Sequence, residues 1–289
     1  MIRFLEKSDT DILRDLWKNS YGEAFTDFFF PRFLEDGKTW VLEENGAFTA
    51  AVSYRQYGIL LHGKNLRYGL LLAPQSLYEG KEEILIKAVK DILSHVDLIT
   101  LSVDHPVYRE EGFQAVYPEA KLVFSPGEIP YREGDYREEA SLEDLVHVYW
   151  AYASVFEGVR VRDEAMMKEL LDYGDTLSWR SLAVYEEEEL CAYALYQEEE
   201  TVSVKELVYT DVRSLKMILG KLLSSGKDVS VTLSQREAEV LFPEKEIEET
   251  SGVLAFLQDP DTCRILFQTD VTDIADVFRG HPARHMERW

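Results

Sequence analysis

Cysteine is nearly absent: two residues in 289, Cys191 and Cys263. Two thiols cannot build the disulfide framework of a small secreted module, and this pair has no metal-ligand spacing. Positive charge is also scarce. Lys and Arg total 31 against 54 Asp and Glu, a formal net charge of −23. That balance argues against sequence-independent binding to nucleic acid and against anionic membrane surfaces, and it suits a cationic substrate such as an amine. No apolar run approaches the roughly 18 residues of a membrane span. The opening stretch MIRFLEKSDTD turns polar too soon for an export leader. These absences predict a cytoplasmic protein with no membrane and no nucleic-acid partner. Gly-x-Ser-x-Gly, Walker A and dinucleotide fingerprints are missing too. Of the six histidines, His281 and His285 stand four apart with Pro282 between them, so no metal site is expected.

Apolar residues, by contrast, are plentiful. The chain is 46% hydrophobic and 12% aromatic, enough for a sizeable core, and its length suggests about two domains. The organising stretch runs from Leu66 to Phe113. Leu66–Leu72 is a short apolar run ended by Ala73-Pro74, which predicts a buried strand. From Glu82 to Ser94, Ile84, Leu85, Ala88, Val89, Ile92 and Leu93 recur at helical spacing. Val96–Val103 is a second β-branched run. Strand, crossover helix and parallel strand form a βαβ-like unit, which places a ligand at the strand-to-helix loop, here PQSLYEGK from Pro74 to Lys81.

Before that unit, Met1–Leu5 predicts a strand, and Ile12, Leu13, Leu16 and Trp17 a helix capped by Ser8 or Asp9. Tyr21–Phe33 reads as a short aromatic helix. Trp40–Glu43 and Phe48–Tyr54 flank Glu44-Asn45-Gly46, a strong hairpin signal. Tyr57–Leu61 and Asn65–Leu72 form the next pair, turned by Gly63-Lys64.

After Pro118 the pattern begins again. Asp144 and Trp150 echo Asp11 and Trp17 at a distance of 133 residues, and the hairpin Leu182–Tyr196 echoes Trp40–Tyr54 with Ala192 and Ala50 142 apart. Val202–Val208 and a helix at Arg213–Leu223 repeat the strand–helix step. Two copies of one mixed α/β unit follow, spanning 1–128 and 135–258, with a tail at 259–289 and the join in Gly127–Gly134. Two unrelated α/β halves with similar caps are the alternative. Between strand and helix the second copy has only TDVRS, with Asp211 as the helix cap.

The order of elements, closed by Tyr108-Arg109-Glu110-Glu111-Gly112-Phe113, resembles the GCN5-related N-acetyltransferase (GNAT) family. The tandem arrangement, with Gly158, Arg162, Asp163 and Glu164 in a Gly-x-x-x-Arg-Asp-Glu pattern, resembles its Eis-like group over roughly residues 1–258. The resemblance implies an α/β fold of two tandem GNAT-like domains. It implies acetyl-CoA as co-substrate and a small-molecule or peptide amine as acceptor. Tyr108 would protonate the leaving thiolate, Leu70, Leu71 and Leu72 would hold the thioester and pantetheine through their backbone N–H groups, and Gly80 and Lys81 would meet the pyrophosphate. His105, beside Asp104 and just before Tyr108, is a candidate general base.

The sequence departs from the family in its phosphate loop. Only Gly80 remains of the family's Arg/Gln-x-x-Gly-x-Gly/Ala pattern, and Glu79, Glu82 and Glu83 surround the place an anion would dock. Such carboxylates also suit a helix N-terminus for structural reasons. Relatives of the Eis-like group usually add a sterol-carrier-like domain, for which Ser251–Trp289 is too short. With that domain missing, the Trp289 carboxylate is not expected to serve as a base in the cleft. An inactive GNAT-like scaffold that binds a metabolite, peptide or partner protein therefore stands beside the acetyltransferase expectation.

Overall fold

The computed structural model describes residues 1–278 apart from Gly37, Ser251 and Thr269. His281, Pro282, His285 and Trp289 lie outside the described residues. The chain forms two compact units, each an α/β assembly around its own mixed sheet.

The first unit opens with β1 (Ile2–Phe4), α1 (Thr10–Tyr21) and α2 (Glu23–Asp36). Leu13 and Trp17 are the buried residues of α1, and Trp17 meets Phe25, Phe30 and Phe33 of α2 at ring distances of 5.2–5.9 Å. The aromatic helix expected at Tyr21–Phe33 is thus a core helix. β2 (Lys38–Glu44) and β3 (Ala47–Leu61) form the Asn-Gly hairpin, with Asn45 and Gly46 at φ 52° and 77°. Two successive positive φ values match the right-handed twist of the flanking strands, which is why Asn-Gly is favoured there.

β4 (Lys64–Leu71) returns alongside β3, and the short β5 (Gln75–Ser76) stays paired to β3 further along. α3 (Lys81–Leu93) then crosses over to β6 (Ile99–Val103), which lies parallel to β4 in the register Gly69↔Thr100, Leu70↔Leu101, Leu71↔Ser102. Leu85, Ile86, Val89 and Leu93 of α3 are buried on the sheet, each stabilising the fold by about 1.5–3 kcal/mol relative to exposure. The strand expected from Val96 starts at Ile99 because Asp97 turns inward. Its carboxylate accepts hydrogen bonds from Tyr54 Oη (2.8 and 2.9 Å) and Gln56 Nε2 (3.0 Å). Gly69 faces this knot, where a Cβ would stand 2.2 Å from Tyr54 Cε2 and 2.3 Å from Asp97 Oδ2. After α4 (Pro106–Glu110) comes β7 (Gln114–Ala115).

The second unit begins with β8 (Glu119–Phe124) and β9 (Asp135–Arg137), then α5 (Leu142–Ala153), the two-residue β10 (Val159–Arg160) and α6 (Glu164–Thr176). β11 (Arg180–Glu186), β12 (Glu189–Glu198) and β13 (Val202–Tyr209) form a meander. α7 (Val212–Leu223) crosses to β14 (Val229–Ser234), followed by α8 (Gln235–Leu241) and β15 (Glu248–Thr250). The order repeats that of the first unit. The duplication extends to an irregularity, since the first hairpin carries a bulge between Leu42 and Glu43 and the second between Val184 and Tyr185, the same 142-residue offset.

The units divide the chain differently from the contiguous spans 1–128 and 135–258. The first comprises Met1–Tyr117 and a returning segment from Ser251; the second takes Pro118–Thr250. In the second sheet β8 pairs antiparallel with β14, giving the order β15-β8-β14-β13-β12-β11-β9. In the first, β16 (Val253–Leu257) occupies the matching place against β6, giving β1-β2-β3-β4-β6-β16-β7. The equivalent strands β8 and β16 have changed places between the copies. Local sequence does not say which sheet takes each, because pairing depends on long-range register. The segment that follows, expected to be a tail, carries α9 (Pro260–Phe267) and α10 (Ile274–Phe278), with Ile274, Val277 and Phe278 buried in the first unit.

Candidate active site

The first unit's strand-to-helix junction is the candidate site. Gly80, the N-cap of α3, has φ 77° and gives the first turn no side-chain cap. A Cβ on Gly80 would meet nothing within 4 Å, so the backbone here is open to approach. Uncapped N–H groups at the positive end of a helix dipole are the elements of an anion site. Three side chains qualify that picture. Glu82 and Glu83 lie in the first turn, where they favour the helix. Glu82 takes the Ser76 hydroxyl, and Lys81 Nζ is held by Glu44 at 2.8 Å.

Tyr108 sits where β4 ends. It is fully buried within a cluster that includes Val52, Leu71, Leu85 and Phe113. Its hydroxyl donates to the carbonyl of Leu72 at 2.5 Å. Burial holds its pKa well above the ordinary value for tyrosine, so the phenol keeps its proton throughout the neutral range.

The YREEGF stretch has a clear local cause. Gly112 has φ 86°, its N–H bonds to Arg109 O (3.1 Å), and Phe113 N–H bonds to Tyr108 O (3.0 Å). This is the Schellman ending of a short helix, with glycine in the left-handed position. The apolar contact that accompanies it is Phe113 against Tyr108, with ring centroids 5.1 Å apart. The Tyr–Gly–Phe spacing therefore aims Tyr108 inward by helix-capping geometry.

The other expected residues take humbler positions. His105 caps α4, its Nδ1 accepting from Val107 N–H at 3.4 Å. Its neighbour Asp104 is bound by Arg109 through two contacts, 2.8 and 2.6 Å. Leu70 and Leu71 lie between β3 and β6, and Leu72 N–H is taken by Ser53 O at 3.0 Å. All three leucines are buried and wall the junction, so the Leu72 N–H expected to hold the thioester is already engaged.

In the second unit the Arg162 motif is a buried framework. Arg162 pairs with Glu206 at 2.8 Å, with side chains 1% and 2% exposed, and stacks on Tyr149. Tyr193 Oη donates to Glu206 at 2.6 Å, while Asp163 caps α6 by accepting from Met166 N–H. The helix after β13 is closed as expected. Asp211 accepts from Ser214 N–H at 2.8 Å in a reciprocal capping box.

Sequence reasoning missed one cluster. β13 and β14 pair only at Val202↔Val229 and Ser203↔Ser230, then run on apart to Tyr209 and Ser234. Between their ends is a cavity of about 370 Å³ with Tyr152, Tyr209 and Glu237 among its lining residues. The visible signal was Ser234-x-x-Glu237, a capping box, whose reciprocal bonds the structure contains.

No protein-family model matches the chain, and no curated protein matches it in sequence. Solved structures do match in fold. A GCN5-related N-acetyltransferase from Anabaena variabilis is 15% identical with a TM-score of 0.72, over 90% of this chain and 73% of its own. Eis1 from Mycobacterium abscessus gives 16%, 0.66, 92% and 75% in the same terms. The chain has the tandem GNAT fold. A more distant likeness, 10% identical with a TM-score of 0.56, is to Saccharomyces cerevisiae N-myristoyltransferase with bound myristoyl-CoA, over 89% of this chain and 78% of that one. Among the described residues no cluster of His, Cys, Asp and Glu is arranged to hold a metal, and no helix is long and apolar enough to cross a membrane.

Proposed function

We propose that the chain is an acyl-CoA-dependent N-acyltransferase, with acetyl-CoA as donor and a small-molecule or peptide amine as acceptor, and that its first unit carries the chemistry. The observation that carries this reading is the Tyr108 hydroxyl on the Leu72 carbonyl, at the point where β4 leaves β6 and the chain turns toward the open α3 N-terminus. The Gly80 and Lys81 N–H groups would hold the pyrophosphate, since the left-handed glycine leaves the approach clear. The donor supplies an acyl thioester, whose C–S bond breaks as the acceptor nitrogen bonds to the acyl carbon. Tyr108 gives its phenolic proton to the departing sulfur, and the proton that the acylated nitrogen loses restores the phenol. The buried leucines of β4 keep water from that sulfur.

A second reading has its own observation. Tyr108 has no exposed surface and its hydroxyl is already satisfied, which also suits a tyrosine kept for packing in an inactive scaffold that binds a metabolite, peptide or partner protein. Thiol release from acetyl-CoA, measured across a panel of amines, separates the two. The acyltransferase reading expects amine-dependent release that falls about 10²–10⁴-fold in Tyr108→Phe. Release at the wild-type rate in that variant removes Tyr108 as the acid, and no release with any amine favours the scaffold.

A further inference from the structure

The cavity of the second unit has a chemistry of its own. Its floor is the carboxylate of Glu237, which accepts from Tyr152 Oη at 2.8 Å, from Tyr209 Oη, and from Ser234 N–H at 2.9 Å. Three aromatic rings of the lining stand together. Tyr152 lies 4.9 Å from Phe156 and 5.1 Å from Tyr209, centroid to centroid, both tilted. The mouth is apolar, with Val155, Val212 and Val240 exposed by 62%, 42% and 70%. Two ionisable side chains complete the rim, Asp211 and Arg236.

We infer that this cavity is a binding site for a small organic ammonium ion, a cationic nitrogen carried on an apolar body. Aromatic rings attract cations through their quadrupoles, and here the hydroxyls of two of them, Tyr152 and Tyr209, meet on the carboxylate of Glu237. Apolar walls with a few convergent polar groups, in a volume of about 370 Å³, match the usual small-ligand pocket. An anion is disfavoured on two counts. It would face the carboxylates of Glu237 and Asp211 against the single cation Arg236, and Asp211 has already closed the α7 N-terminus that a phosphate would use. The overall charge of −23 draws cations to the surface. The inference concerns binding alone and does not rest on the acyltransferase reading.

The test is titration of the full-length protein with three matched probes: 2-phenylethylammonium, 2-phenylethanol and 3-phenylpropanoate. Saturable binding of the ammonium at least tenfold tighter than either of the others is the expected result. Glu237→Gln should weaken the ammonium tenfold or more and leave the alcohol unchanged. Val155→Trp, a change at an exposed wall position, should block the probe while leaving the thermal midpoint in place. Equal binding of alcohol and ammonium, tighter binding of the carboxylate, no binding of any probe, or ammonium binding indifferent to both variants would overturn the inference.

Discussion

Both copies make the same step from a buried strand into a crossover helix, and they finish it in opposite ways. After β4 the chain reaches α3 through a glycine in the left-handed region, leaving the first N–H groups without a side-chain cap. After β13 it reaches α7 through Asp211, whose carboxylate and Ser214 hydroxyl close the helix in a capping box. The first ending leaves room for a foreign anion, whereas the second installs an anion of the protein's own. The two closing helices differ as well. α4 ends on Gly112 and turns Tyr108 into the core, while α8 ends on Phe242 without a glycine and keeps Glu237 beside a cavity. The two copies share their frame, down to the bulge, and differ at the residues that begin each crossover helix.

The largest effect expected from this contrast is catalytic. Tyr209→Phe, in the second copy, should leave acyl transfer within about twofold of wild type, against the loss of about 10²–10⁴-fold expected for Tyr108→Phe. Similar losses in both variants would erase the distinction.

Next come the junctions themselves. Gly80→Asp gives the first copy the second copy's ending, and its affinity for acetyl-CoA should fall about tenfold, or about 1.4 kcal/mol, by calorimetry. Asp211→Ala should cost about 1 kcal/mol of stability in urea melts through the lost cap without creating a second nucleotide site.

Each copy also buries a carboxylate among tyrosines, Asp97 with Tyr54 and Glu237 with Tyr209 and Tyr152. Burial raises both pKa values above their ordinary 3.8 and 4.5. With the folded value above the unfolded one, the native state holds its proton longer. The stability this contributes is full below the ordinary value and is lost as pH climbs through the folded value. Asp97→Asn and Glu237→Gln should therefore each gain on wild type as pH rises from about 4 toward neutrality, read from denaturation midpoints. A difference independent of pH would contradict the assigned cause.

The smallest effect lies in the hairpin turns. Asn45-Gly46 takes its two positive φ values easily, whereas Glu187 and Glu188 hold 51° and 71° with full side chains. Replacing that pair by Asn-Gly should stabilise the second unit by about 0.5–1 kcal/mol, measured by chemical denaturation.

Much of this frame was legible in the chain. Asn45-Gly46, the periodicity of α3, Asp211 before α7 and the 142-residue echo are local signals, and local physics produced the elements they announce. Tyr108 was legible twice over, because the spacing that resembles a family motif is also the spacing of a Schellman ending. What stayed hidden depends on distant partners. Nothing in EAKLVF or VLAFL says which sheet will take it, and Val96 gave no hint that Asp97 would turn inward to Tyr54. Nothing in the sequence says that His105 will cap α4 through Val107 N–H. The Glu237 cavity exists only because β13 and β14 separate after two paired residues.

The most direct test of the account is calorimetric titration of acetyl-CoA into the wild-type chain at low salt. One saturable site per chain at micromolar strength, weakened about tenfold in Gly80→Asp and unchanged in Asp211→Ala, is the predicted result. No saturable heat at millimolar acetyl-CoA would contradict the account and leave the inactive scaffold as the better description of this fold.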